Sequence, residues 1–324
     1  MTPIALDAMG GDRAPAETVA GAVLAAADGV DVVLVGVEQV LKRELEGLSA
    51  SLPIVHAPES IEMGDDPARA LREKPESSIS VAARLVRDGS AGAFVSAGST
   101  GAVMAAAAIL IGRAPGVLRP TIASIIPTPG SPTLILDSGA NLDVKAEHLI
   151  QFAVMGSVAA EVIFGMTRPR VGLLNNGEEP GKGRAVEKEV HRLLASAPVN
   201  FIGNVEGRDI GANRADVFVT DGFVGNITIK SIEGVASMVI AMVLEAFESL
   251  DDPVRNKALE AIGPLRRILD YEQTGGAHLL GVDGVVVIAH GSSSRVAVAN
   301  ALRQARDGVQ RDLVVKMTAR LALM

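Results

Sequence analysis

Short apolar runs recur along the whole chain, and nearly every one closes on a small or polar residue. Residues 4–9 end at Gly10-Gly11. Residues 31–36 and 53–57 follow, and residues 91–97 run into Gly98-Ser99-Thr100-Gly101. Residues 133–136 lead to Asp137, Gly139 and Asn141, and residues 171–174 to Asn175-Asn176-Gly177. Residues 216–220 lead to Asp221-Gly222, and residues 285–289 to His290-Gly291. Helical stretches lie between the runs. Pro15 opens one of them, in the first turn where a proline costs least. Strands alternating with helices predict βαβ units and a mostly parallel α/β sheet. In open sheets of this kind, ligands bind in the crevice beyond the carboxyl ends of the strands. The polar strand-end residues therefore stand where such a fold places a site.

Composition sharpens this picture. With about 150 residues per domain as a guide, 324 residues make one large or two intermediate domains; the expectation is a single domain, with 115–132, rich in Pro and Gly, as a soft boundary between two lobes. Aromatics are 2% of a chain that is 48% hydrophobic, so the interior is built from Ala, Val, Leu and Ile, as buried parallel strands require. A net charge of -8 argues against nucleic acid as the main partner. The chain has no cysteine, which excludes a thiolate nucleophile, a disulfide and a cysteine metal site. The N-terminus lacks a basic leader and the apolar run 102–111 is short of the ~20 residues that span a bilayer. Both point to the cytoplasm.

Five loops hold candidate chemistry. Ser99, Thr100 and Gly101 follow a strand and open a helix, where free N–H groups and hydroxyls suit an anion; the same residues also make a tight turn with an N-cap. The stretch 175–183 resembles a phosphate-binding P-loop but has three residues, not four, between Gly177 and Gly181, and Gly183 where Ser or Thr belongs. A nucleoside triphosphate is therefore excluded. Lys182 between Gly181 and Gly183 still offers a point charge for phosphate, or is a solvated loop lysine. Asp221 ends a strand, and Asn226 and Lys230 share a helix face at i and i+4. They suit orientation, hydrogen bonding to a carbonyl or phosphate oxygen, and charge neutralisation; capping and an exposed lysine are the plainer reading. Asp137 and Asn141 could form a turn by residue type alone, but their place at a strand end favours a site. An imidazole is the side chain that changes charge near neutrality, so His290 suits proton transfer, although a lone histidine is more often structural. No zinc spacing, no complete dinucleotide fingerprint (Val186 stands where the last Gly belongs) and no nucleophile-elbow motif occurs. Neither a metal nor a cofactor is expected.

Together, Asp7-Ala-Met-Gly-Gly-Asp12, Gly98-Ser-Thr-Gly-Ala102, Asp137-Ser-Gly-Ala-Asn-Leu-Asp143, Leu174-Asn-Asn-Gly-Glu-Glu-Pro-Gly-Lys-Gly183, Thr220-Asp-Gly-Phe-Val-Gly-Asn226, Gly275-Gly-Ala-His-Leu-Leu-Gly281 and Ala289-His-Gly-Ser-Ser293 resemble the phosphate acyltransferases of bacterial phospholipid synthesis, the PlsX family. The resemblance runs from about Ile4 to Arg303, and it departs at His278, Ser138 and Gly98. It implies a Rossmann-like three-layer α/β/α sandwich related to phosphotransacetylases and isocitrate-dehydrogenase-like folds. It implies acyl transfer from acyl carrier protein to inorganic phosphate, by a homodimer that feeds the membrane glycerol-3-phosphate acyltransferase.

From residue type and position, Lys182 and the Ser99–Thr100 helix start are expected to hold phosphate, Asp221 to orient Lys182 or the phosphate, and Asn226 and Lys230 to stabilise charge at the reacting carbonyl. His290 protonates the leaving thiolate. The apolar stretch 227–250 could supply a groove for the acyl chain, but core or dimer interface is the expected reading. The stretch 253–269, with Arg255, Lys257, Arg266 and Arg267 beside apolar residues, fits peripheral membrane contact or an ordinary surface helix. Two other classes remain: an enzyme of the same superfold using acyl-CoA or NAD(P), and a non-catalytic scaffold for acyl carrier protein. Donor choice and turnover discriminate them.

Overall fold

The computed structural model describes residues 2–128, 130–269 and 273–324, without the side chains of 264–269. The strands are β1 (Ile4–Asp7), β2 (Val32–Gly36), β3 (Ile54–His56), β4 (Ala93–Ser96), β5 (Thr121–Ile126), β6 (Thr133–Leu136), β7 (Arg170–Leu174), β8 (Asn200–Val205), β9 (Val217–Val219), β10 (Gly276–Leu280) and β11 (Val285–Ala289). The helices are α1 (Ala16–Ala27), α2 (Glu38–Gly47), α3 (Pro67–Glu73), α4 (Ser78–Arg87), α5 (Thr100–Ala106, continued by a π-helical turn, Ala107–Ile111), α6 (Ala146–Phe164), α7 (Ala185–Leu194), α8 (Gly222–Glu248), α9 (Asp252–Leu269), α10 (Arg295–Gln310) and α11 (Leu313–Leu321).

All eleven strands form one sheet in the order β3-β2-β1-β4-β11-β10-β5-β6-β9-β7-β8. The first five in that order are parallel, and so are the last four. Between these blocks, β11–β10, β10–β5 and β5–β6 pair antiparallel. Three reversals mean that the two parallel blocks point in opposite directions, so their strand-end loops approach the middle of the sheet from opposite ends. Residues 115–132 carry β5, which is hydrogen-bonded on both sides at the junction of the blocks.

One face of the sheet is covered continuously. Val19, Leu41, Phe152, Met155, Val190, Leu302 and Met317, from α1, α2, α6, α7, α10 and α11, are buried in a single cluster against it. The other face is covered in two separate places. Helices α3, α4 and α5 bury Ala70, Ile79, Val103 and Ala106 over the first block. Helix α8 covers the second block through Val224, Ile229 and Ile232, packed on Ile135, Leu174 and Phe218. The cleft described below opens between α5 and α8, lined from the sheet by Ile122, Ser124 and Ile125 of β5, Gly276 and Ala277 of β10, and Ile288 and Ala289 of β11.

Helix α8 contradicts only the core half of its expectation. Its apolar stretch is not core: only Gly222 and Gly225 are buried, and Val235, Met238 and Met242 are 54%, 55% and 61% exposed. A long apolar helix normally buries one face. Among the described residues, two helices, α6 and α8, are long and apolar enough to cross a membrane by length and composition, whereas the helix over Thr100–Ile111 is shorter. Helix α6 is mostly buried inside the fold, whereas the apolar window of α8 is not buried at all.

Candidate active site

The sheet floor, α5 and α8 enclose a cleft of about 490 Å³. Ile122, Ile125 and Ile288 line it from the strands, Met63 from the loop before α3, and Ile229 from α8. Polar groups reach it from several strand-end loops: Asp12 after β1, Thr100 after β4, Ser138 after β6 and His290 after β11. Asn226 and Lys230 face it from α8, one turn apart as their spacing requires, and Ser124 rises from β5. The Ser124 and Ser138 hydroxyls lie 2.7 Å apart. Lys230 Nζ donates to Glu233 Oε2 at 2.8 Å. His290 Nδ1 lies 2.8 Å from Ser292 Oγ and accepts the Ser292 backbone N–H at 3.3 Å, contacts that fix the orientation of the ring. The cleft thus joins hydroxyl, amide, ammonium and imidazole donors to an apolar wall. Among the described residues no three His, Asp or Glu side chains gather as a metal site.

Two strand-end carboxylates lie beneath the cleft and do not enter it. Asp137 is fully buried and receives the N–H groups of Ile122 (3.1 Å), Ala140 (3.1 Å) and Asn141 (2.6 Å), together with Asn141 Nδ2 (2.9 Å). Burial pushes its carboxyl above the usual range, and these hydrogen bonds pull it back. Asn141 also donates to the Pro120 carbonyl at 2.8 Å. Asp137 and Asn141 therefore fold the loop that carries Ser138 and Gly139, and do not face the cleft. Asp7 does the same after β1. It accepts from Ser96 Oγ at 2.7 Å and from the Met9 N–H at 3.2 Å, and burial raises its carboxyl as well. Ser99 is buried, and Gly101 sits where a Cβ would lie 2.7 Å from Pro67 Cγ. Of that helix start, only Thr100 presents its side chain.

Asp221 is 2% exposed and caps α8 by accepting the Val224 N–H at 2.8 Å. Its ionic partner is Arg184, whereas the expectation from the sequence is that it orients Lys182 or the phosphate. Lys182 is half exposed, with Nζ 3.9 Å from Glu179 Oε2, and neither it nor Gly181 lines the cleft. Arg184 instead lines a second concavity, of about 540 Å³, with Asn175, Asn176, Thr220 and Val224. Asp12, Ser124, Ser138 and Arg184 were not singled out from the sequence. Asp12 ends a quoted loop, Ser124 is hidden in a Pro-rich segment, and Arg184 directly follows Gly-Lys-Gly.

Among known proteins, a family described as "Fatty acid synthesis protein" matches residues 2–316. A phosphate acyltransferase of Desulforamulus reducens is 47% identical over 97% of this chain and 96% of its own. Another, from Pelotomaculum thermopropionicum, is 49% identical over 96% of this chain and 92% of its own. Among solved structures, a EutD phosphotransacetylase from Staphylococcus aureus superposes with a TM-score of 0.61 at 18% identity, covering 95% of this chain and 94% of its own, a likeness of fold. With near-complete coverage at close to half identity, the chain belongs to the fatty acid synthesis protein family of phosphate acyltransferases and is an acyltransferase.

Proposed function

We propose that this acyltransferase takes its acyl group from acyl carrier protein and delivers it to inorganic phosphate in the cleft between α5 and α8. The observation that carries the reading is the composition of that cleft. Hydrogen-bond donors suited to a phosphate stand beside an apolar wall suited to an acyl chain, over strands β5, β10 and β11. A phosphate oxygen attacks the thioester carbonyl carbon. The C–O bond forms, the C–S bond breaks, and the carrier's thiolate leaves and takes up a proton. Phosphate is already nucleophilic and the thioester is already activated. The protein's task is to hold the two together and to stabilise the developing oxyanion.

In this reading Thr100, Ser124 and Ser138 receive phosphate, Asn226 and Lys230 meet the carbonyl oxygen, and His290 supplies the proton to sulfur. Lys182, in the neighbouring loop, remains a proposed phosphate ligand that reaches the substrate only in the bound state. Replacing it with Ala should then abolish turnover and leave folding intact; full activity would remove it from the mechanism. The exposed apolar face of α8 supports a homodimer that covers it. The exposed Val254 and the basic Arg255 on α9 support peripheral contact with the cytoplasmic membrane surface, next to the acyltransferase that consumes acyl-phosphate. Arg266 and Arg267, with Leu265 and Ile268, lie outside the described side chains. Offering long-chain acyl-(acyl carrier protein) and acyl-CoA in parallel tests the donor. Phosphate-dependent release from the carrier protein is expected, and turnover with acyl-CoA alone would overturn the assignment.

A further inference from the structure

The start of α8 is held from two sides. On one side it packs without clearance on the loop after β6. A Cβ on Gly225 would lie 1.8 Å from the Asp137 carbonyl oxygen, and one on Gly222 would lie 2.8 Å from the Asn141 carbonyl oxygen. On the other side a single guanidinium joins it to the 175–183 loop. Arg184 donates through its side chain to Glu187, at 2.8 Å from Nε to Oε1, and to Asp221. Glu187 and Asp221 are 6% and 2% exposed. Two buried carboxylates are costly unless each is paired, and Arg184 is the cation that touches both. The fork of a guanidinium reaches two acceptors at once, which an ammonium does not do in fixed geometry. The pairing is tight enough to hold Arg184 protonated well above its ordinary range, with the Glu187 bond as the larger cause.

We infer that Arg184 is a positioning residue, acting through Asp221 on the first turns of α8 and so on the placement of Asn226 in the cleft. This rests on the reading of the cleft as the site of acyl transfer to phosphate. Asp221 caps the helix, and Asn226 stands just over one turn further along it. A shift of α8 at its cap moves Asn226 relative to the reacting carbonyl, and misplacement of about 1 Å costs as much as 100-fold in rate. Arg184 itself lines the second concavity and does not line the cleft, so its loss should spare phosphate affinity.

The test is a set of steady-state assays with varied phosphate on the wild type, Arg184→Ala, Arg184→Lys, Asn226→Ala and the Arg184→Ala/Asn226→Ala double variant. Arg184→Ala should lower kcat at least about tenfold with KM for phosphate within about twofold, and Arg184→Lys should recover part of the loss. In the Asn226→Ala background, removing Arg184 should cost under about threefold, because the group it positions is gone. If Arg184→Ala does not fold, Arg184→Lys alone, made with and without Asn226→Ala, carries the same comparison. A raised KM with unchanged kcat would make Arg184 a phosphate ligand and overturn the inference. Unchanged kinetics, or losses that multiply in full, would overturn it equally. Failure of the wild type to turn over phosphate would instead sink the reading of the cleft.

Discussion

His278 sits in the middle of β10, 1% exposed, and neither ring nitrogen has a hydrogen-bond partner. Burial holds it neutral, with its pKa lowered from 6.5 to about 4. The folded value lies below the unfolded one, so the neutral form's contribution is complete above pH 6.5 and drains away as the pH falls towards 4. The shift corresponds to about 3 kcal/mol lost across that window. Asp7 and Asp137, raised by burial, act in the opposite sense, so the histidine term must be isolated by difference. Urea unfolding of wild type and His278→Met at pH 7 and pH 4.5 does this. The wild type should lose ~2 kcal/mol more than the variant on acidification; equal losses would mean that His278 is solvated or paired. Residue roles were only partly legible in the sequence. Asn226, Lys230, Thr100 and His290 do reach one cleft. Asp137 and Asn141 were chosen by the same strand-end rule and instead face inwards. An aspartate that binds a ligand and one that folds a loop look alike until backbone N–H groups are seen converging on it.

At the scale of elements, the eight apolar runs noted in the sequence all became strands, and the three strands not foreseen have physical reasons. Strand β5 lies inside a segment punctuated by Pro115, Pro120, Pro127 and Pro132. Strand β8 is an edge strand with Asn and Gly in it, and β10 carries Gly276 and His278, none of which favours a strand by propensity. Helix α8 is the element on which the site depends. Gly225→Ala should force its first turn off the Asp137 carbonyl, costing about 1–3 kcal/mol and most of the turnover. Thermal melts and the phosphate assay check this, and a variant with normal stability and rate would show that the contact is slack. Further along α8, Val239 and Met242 are 45% and 61% exposed. Glu at both positions should convert a dimer into a monomer in sedimentation equilibrium; an unchanged mass would place the dimer contact elsewhere or remove it.

For the whole molecule, the alternating pattern was enough to foresee a mostly parallel sheet layered with helices, but not that its two blocks run in opposite directions. That reversal depends on β10 and β5, the two strands that the sequence hid. It is also what brings loops after β1, β4 and β11 to the same cleft as the loop after β6 and the start of α8. The account stands on phosphate being the acyl acceptor there. The most direct measurement mixes the purified protein with long-chain acyl-(acyl carrier protein), with and without inorganic phosphate, and follows free carrier protein and acyl-phosphate together. The account predicts that both products appear in equal amounts, only when phosphate is present, and that Asn226→Ala lowers the rate at least about 100-fold. Release of carrier protein without phosphate, or no release at all from folded protein, would contradict it.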